Sequence, residues 1–83
     1  MFTTTQIREL VEKGLAGSRA IVRDLTGTQD HFELVVVADA FEGRNPVERH
    51  RMVYKTLGPS VGAEIHALSL KTMTSVEAKK EGL

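Results

Sequence analysis

The run His31-Phe32-Glu33-Leu34-Val35-Val36-Val37-Ala38 constrains this chain more than any other stretch. Apolar and polar side chains alternate up to Glu33, and the alternation is lost from Leu34 to Ala38. That loss marks a strand covered on both faces or hemmed in at the centre of a sheet. Asp39 to Gly43 reads as a turn region with Phe41 as an apolar anchor. Asn45 then offers an N-cap oxygen, and Pro46 supplies a first-turn residue with no N–H to leave unpaired. Val47, His50, Val53, Tyr54 and Leu57 recur at helical spacing as the expected buried side, until Gly58-Pro59 stops the helix. A strand reached through a helical crossover pairs in parallel with the strand before it. The segment from Glu64 to Thr72, after the small-residue connector Ser60 to Ala63, is therefore expected beside the first run and parallel to it.

Upstream, Thr3 with Gln6 fits a capping box, and Ile7, Leu10, Val11 and Leu15 repeat at three and four residues. Gly14 weakens the last turn of that helix, and Gly17 or Ser18 is expected to end it. Ala20 to Leu25 reads as a short edge strand, with Ile21, Arg23 and Leu25 on one side and Val22 on the other. Thr26 to Asp30 is a polar loop of hairpin length, which makes this strand antiparallel to the central one. Thr74 and Glu77 form a second capping box opening a short, frayed terminal helix that ends in Lys79-Lys80-Glu81. The order is αββαβ with a terminal helix: an α+β fold with a three-stranded mixed sheet and helices on one face.

Eighty-three residues suffice for a single domain over residues 1–83 with one modest core. Eleven basic and eleven acidic side chains cancel, which argues against non-specific nucleic-acid binding as the main activity, since that binding scales with phosphates neutralised. A local basic patch remains compatible with this balance. The chain has no cysteine, hence no disulfide framework, no thiolate site of its own and no thiol nucleophile. No signal peptide or membrane span is visible in the sequence, and a soluble cytoplasmic protein is expected.

Enzyme signatures are missing. Gly58 to Gly62 lacks a Gly-Lys-Ser/Thr and follows a helix, so it is no phosphate loop. No His-Glu-x-x-His occurs, and the one Gly-x-Ser-x-Gly spacing, Gly58 to Gly62 around Ser60, follows a helix and not the strand that a nucleophile elbow needs. Asp39 and Glu42 flank a turn, where solvated surface charge is the expectation. No enzymatic activity is expected. Arg44, Arg49, His50, Arg51 and Lys55 gather positive charge around the second helix, readable as a solvated face or as a docking patch for an anionic partner. His50, on the same side as Val47 and Val53, reads as a structural histidine.

His31 and His66 differ from His50. His31 enters the central strand and His66 opens the third, so parallel pairing brings both to one end of the sheet. Neighbouring strands lie about 4.8 Å apart, close enough for two imidazoles to reach one centre. A strand histidine can equally be a satisfied core residue. Two imidazoles are too few for a closed site, since a tetrahedral metal takes four ligands, so anything bound there needs donors from elsewhere.

Taken together, Phe41-Glu42-Gly43, Arg49-His50-Arg51-Met52-Val53-Tyr54 and Ile65-His66-Ala67-Leu68-Ser69-Leu70-Lys71-Thr72 resemble the BolA family. The preceding His31-Phe32-Glu33-Leu34-Val35-Val36-Val37 matches as well, and the likeness runs from the first helix to about Glu77. The resemblance implies a fold similar to class II KH domains and a partner, a monothiol glutaredoxin, with which a bridged 2Fe–2S cluster is shared. Glutaredoxin and glutathione would supply thiolates, and the family's histidine of the third strand, His66 here, would be the primary ligand. Imidazole ligation on one iron would tune the cluster as at Rieske-type centres. Many members carry a second Cys or His ligand in the first hairpin loop, at the position of Thr28 here. His31 is the nearest residue able to take that role. The family often reads Thr-Pro-x-x-Trp after the third strand, whereas here Ser75 follows Thr74 and Ala78 stands at the Trp position. The terminal helix is therefore expected to pack less firmly.

The resemblance also implies rivals. Some members regulate transcription, and a KH-like fold makes DNA the main alternative partner. No Gly-x-x-Gly loop of the kind that grips nucleic-acid backbone in KH domains stands ahead of the second helix, where Arg44-Asn45-Pro46 follows Gly43. A cluster-free module that regulates a glutaredoxin is the third reading. Arg44, Arg49, Arg51 and Lys55 are expected to help dock the partner.

Overall fold

A computed structural model describes residues 3–25, 27, 31–58 and 67–83. The elements are helix α1 (Thr4–Gly14), strand β1 (Arg19–Asp24), strand β2 (His31–Val37), a 3₁₀ turn (Asp39–Phe41), helix α2 (Pro46–Leu57), strand β3 (Ala67–Met73) and helix α3 (Ser75–Lys80). The connector from Ser60 to Ala63 and the start of the third strand, Glu64 to His66, lie outside the described residues, as does most of the hairpin loop, Thr28 included.

The sheet has the order β1-β2-β3, so the run that loses alternation is the central strand. β1 pairs antiparallel with it, from Arg19 opposite Val37 to Asp24 opposite Phe32. β3 pairs in parallel, from His31 opposite Ala67 to Val37 opposite Met73. Both pairings are those the hairpin and the helical crossover dictate. The ladder continues one step further, with the Ala38 N–H donating to the Met73 carbonyl at 3.0 Å.

Strand alternation separates two faces. Phe32, Leu34 and Val36 are buried against Ile7 and Val11 of α1 and Val53 and Leu57 of α2, with Phe41 closing the end of that core. Leu68 and Leu70 of β3 pack against it from the sheet. On the opposite face, Val37, Met73 and Ala78 form a second, smaller cluster, with Val35 beside it. Helices on one face thus describes α1 and α2. The terminal helix α3 turns over the end of the sheet and covers Val37, which explains why the central strand is apolar on both faces at that end.

Local chemistry sets the boundaries. Thr3 and Gln6 form the expected capping box, but α1 stops at Gly14 with Leu15 as an extended cap, earlier than Gly17. The Glu12 carboxylate then accepts from the Ala20 N–H at 3.0 Å, tying the helix to the edge strand. Asn45 caps α2, its side-chain oxygen accepting from the Glu48 N–H at 2.8 Å. Gly58 ends the helix at φ 61°, a conformation costly for any residue with a Cβ.

The buried side of α2 differs from the expected one. Val53 and Leu57 are buried, whereas Val47 is 59% and Tyr54 37% exposed. The helix is rotated so that Thr56 meets α1 at Gly14, which places Val47 and Tyr54 toward solvent. The terminal helix is held by its own contacts. Thr74 and Glu77 complete their capping box, Ala78 is only 2% exposed, and polar tethers add to this packing. The Asp39 carboxylate accepts from the Ser75 hydroxyl at 2.6 Å and its N–H at 3.2 Å, and Lys71 pairs with Glu81 at 2.6 Å.

Candidate functional site

His31 is the first residue of β2, and the Leu25 N–H donates to its carbonyl at 2.8 Å, closing the base of the hairpin. Its side chain is exposed and belongs to the row of Glu33 and Val35, the face that α1 and α2 leave open. In register it stands opposite Ala67, the residue that follows His66 in the chain. The parallel pairing therefore brings the starts of both strands to one end of the sheet. His66 itself lies outside the described residues. Among the described residues no group of three or more His, Cys, Asp or Glu side chains could hold a metal. A neutral, solvent-facing imidazole can donate one lone pair to a metal, and in a chain without thiols the remaining donors of a cluster would have to come from outside.

The basic residues around α2 do not form one patch. Arg49 is committed within the fold: its side chain is 14% exposed, and Nη1 donates to Glu77 Oε1 at 2.8 Å. Its Nε donates to the Arg44 carbonyl at 2.9 Å, and its guanidinium lies 5.9 Å from the centre of the Phe41 ring. Arg44 is exposed but pairs with Glu48 at 3.2 Å, reaching from just before the N-cap Asn45 to the first turn of α2. Arg51 and Lys55 are exposed, with no ion pair among the described residues. His50 is half-buried, consistent with a packing role.

Asp39 and Glu77 are more than solvated charge. The Ser75 hydroxyl, and then its N–H, hold the Asp39 carboxyl below its ordinary range. The Arg49 side chain, with the Thr74 N–H, does the same for Glu77. Local spacing carried half of this, since the capping box is legible. The partners Asp39 and Arg49 lie 36 and 28 residues from theirs, and no pattern in the sequence links them. Among the described residues, no helix is long and apolar enough to cross a membrane.

An α+β domain with a mixed sheet, a parallel β–α–β unit and a small helix folded over the sheet end defines the structural class. Residues 12–77 match the model of the family described as BolA-like protein. The chain belongs to the BolA family. It is 43% identical over 51 residues to a protein named DNA-binding transcriptional regulator BolA from Escherichia coli (strain K12), a match covering 61% of this chain and 49% of that one. The chain thus spans about half the length of that curated relative. Among solved structures, a bolA protein homologue from Coxiella burnetii is 44% identical with a TM-score of 0.81, covering 95% of this chain and 99% of that one. Yeast Fra2 superposes with a TM-score of 0.75 at 36% identity, covering 95% and 86%.

Proposed function

We propose that the chain is a non-enzymatic adaptor that binds a monothiol glutaredoxin and shares a bridged 2Fe–2S cluster with it. His66 is the primary ligand and His31 the second; glutaredoxin and glutathione supply the thiolates. The observation that carries this reading is the register of β2 and β3. It brings the starts of both strands to one end of the sheet, with His31 opposite Ala67, in a chain that offers imidazole and no thiol. Such a donor set is incomplete alone and complete with a thiolate-bearing partner. The cluster is cargo shared between two proteins and is not retained by this chain alone.

Mixing the chain with a monothiol glutaredoxin, glutathione and a source of iron and sulfide tests the reading. The visible absorption and circular dichroism of the cluster change when the chain is added, and His66→Ala reverses most of that change. A spectrum identical with and without the chain overturns the proposal. If apo and holo pairs bind equally tightly with neither histidine required, the chain is a cluster-free regulator of glutaredoxin.

One observation favours a second reading, a nucleic-acid-binding transcriptional regulator: the 43% identity to a relative named as one. Steep salt dependence together with sequence preference on duplex DNA at physiological salt would promote it. Weak, indiscriminate binding would demote it.

A further inference from the structure

The outer side of α2 carries a stripe that the fold does not use. Val47, Arg51, Tyr54 and Lys55 stand at i, i+4, i+7 and i+8, so they share one face of the helix. The opposite face, Arg49, Val53 and Leu57, is taken up by Glu77 and by the core. Val47 is 59% and Tyr54 37% exposed, two of the five large apolar side chains left in solvent among the described residues. Arg51 and Lys55 find no ion-pair partner among the described residues, although Arg44 and Arg49 on the same helix region do. Apolar and aromatic surface interleaved with unpaired cations on a rigid helix is the composition of a protein docking site, where Tyr and Arg are enriched.

We infer that this stripe docks an acidic surface of a folded protein partner, with Tyr54 and Val47 as apolar anchors and Arg51 and Lys55 as charge complements. A second copy of the chain is a poor occupant, because twofold pairing would set the two cations against their own copies. Nucleic acid is a poor one too: two cations neutralise two phosphates, and a chain of zero net charge adds no long-range attraction. Naming the partner as the monothiol glutaredoxin rests on the function proposed above. The stripe then seats the partner, while the histidines hold the cluster.

Titration calorimetry of the full chain with a monothiol glutaredoxin, as apo protein and with cluster and glutathione, tests this. The doubly charge-reversed variant (Arg51→Glu with Lys55→Glu) and Tyr54→Ala each weaken binding about tenfold or more. The charge-reversed variant also loses the salt dependence of the wild type. At saturating partner both variants give the wild-type cluster spectrum, which His66→Ala does not. Unchanged far-ultraviolet circular dichroism and melting confirm that these exposed substitutions leave the fold intact. Variants that bind as tightly as wild type overturn the inference and leave the adaptor reading standing. A wild type that binds glutaredoxin in neither form overturns both. Lost affinity for duplex DNA with unchanged affinity for glutaredoxin overturns it as well, giving the stripe to nucleic acid.

Discussion

Arg49 Nη1 donates to Glu77 Oε1 at 2.8 Å, and the same carboxylate oxygen accepts from the Thr74 N–H at 2.8 Å. One oxygen therefore serves as the capping-box acceptor of α3 and as the counter-charge of α2. The two substitutions that break the pair separate these roles. Glu77→Gln keeps the capping acceptor and loses the charge. Arg49→Ala keeps the cap but removes the guanidinium from Phe41, from the Arg44 carbonyl and from Glu77 together. Arg49→Ala lowers the melting temperature more than Glu77→Gln, and Arg49→Lys, which lacks the planar fork, recovers little of the loss. Hydrogen exchange locates the effect: amides of residues 75–80 lose protection before those of β2.

The same contacts give the fold an acid limit. Ser75 holds the Asp39 carboxyl low, and Arg49 with the Thr74 N–H holds that of Glu77 low. Both groups bind protons less readily folded than unfolded. Their contribution is thus complete above the ordinary carboxylate range and is lost as pH falls through the depressed folded-state values. Melting temperature should be flat with respect to these groups from about pH 6 to 8 and fall in acid. A chain carrying Asp39→Asn and Glu77→Gln should be less stable than wild type at neutral pH and show a shallower acid decline. Parallel curves for the two proteins would assign the decline to other carboxylates.

Gly14 allows α1 to approach α2. A Cβ there would lie 2.6 Å from Thr56 Cγ2 and 2.8 Å from its Cβ. Gly14→Ala gains helix propensity worth roughly 1 kcal/mol, but overpacking costs about 1–3 kcal/mol, so net destabilisation is expected in urea unfolding. Adding Thr56→Ser removes the methyl at 2.6 Å, keeps the hydroxyl that donates to the Val53 carbonyl at 2.6 Å, and should recover part of the loss.

The core offers a larger effect. Leu34 is fully buried at the centre of the central strand, between both covering helices. Leu34→Ala should cost about 2–5 kcal/mol, a large share of the stability of a domain this small. By contrast, Val47→Ala, at a position the sequence pattern assigned to the core, should change unfolding by less than about 0.5 kcal/mol.

Those two positions show what could be read in advance. Strand order and pairing follow from the lost alternation at Leu34 and the bracketed crossover Asn45-Pro46 to Gly58, signals within a few residues of one another. The rotation of α2 does not. Val47, His50, Val53, Tyr54 and Leu57 span a face wide enough for several rotations, and the choice is made by the Gly14–Thr56 contact, 42 residues apart in the numbering. The side of the sheet taken by α3 depends likewise on Asp39 and Arg49 reaching Ser75 and Glu77. Of the proposed metal ligands, the placement of His31 at the strand end was legible from the hairpin length and the crossover together. Its exposure on the open face follows from a single parity, since Phe32 must point to the core.

His31 provides the sharpest separation of ligation from folding. It is exposed and packs in neither core cluster, so His31→Ala should leave the melt of the chain alone within about 0.5 kcal/mol. In the complex with glutaredoxin it should shift the visible circular dichroism of the cluster, less than His66→Ala does, because the second ligand position can be filled by another donor or by solvent. His31→Cys carries the argument further. It gives the chain a thiolate donor on the same face, which should move the absorption toward that of all-thiolate clusters and lower the potential, as exchange of imidazole for thiolate does. If both His31 variants leave the spectrum and potential of the complex unchanged while His66→Ala alters them, the shared cluster takes a single imidazole from this chain, and the register of β2 against β3 serves the fold alone.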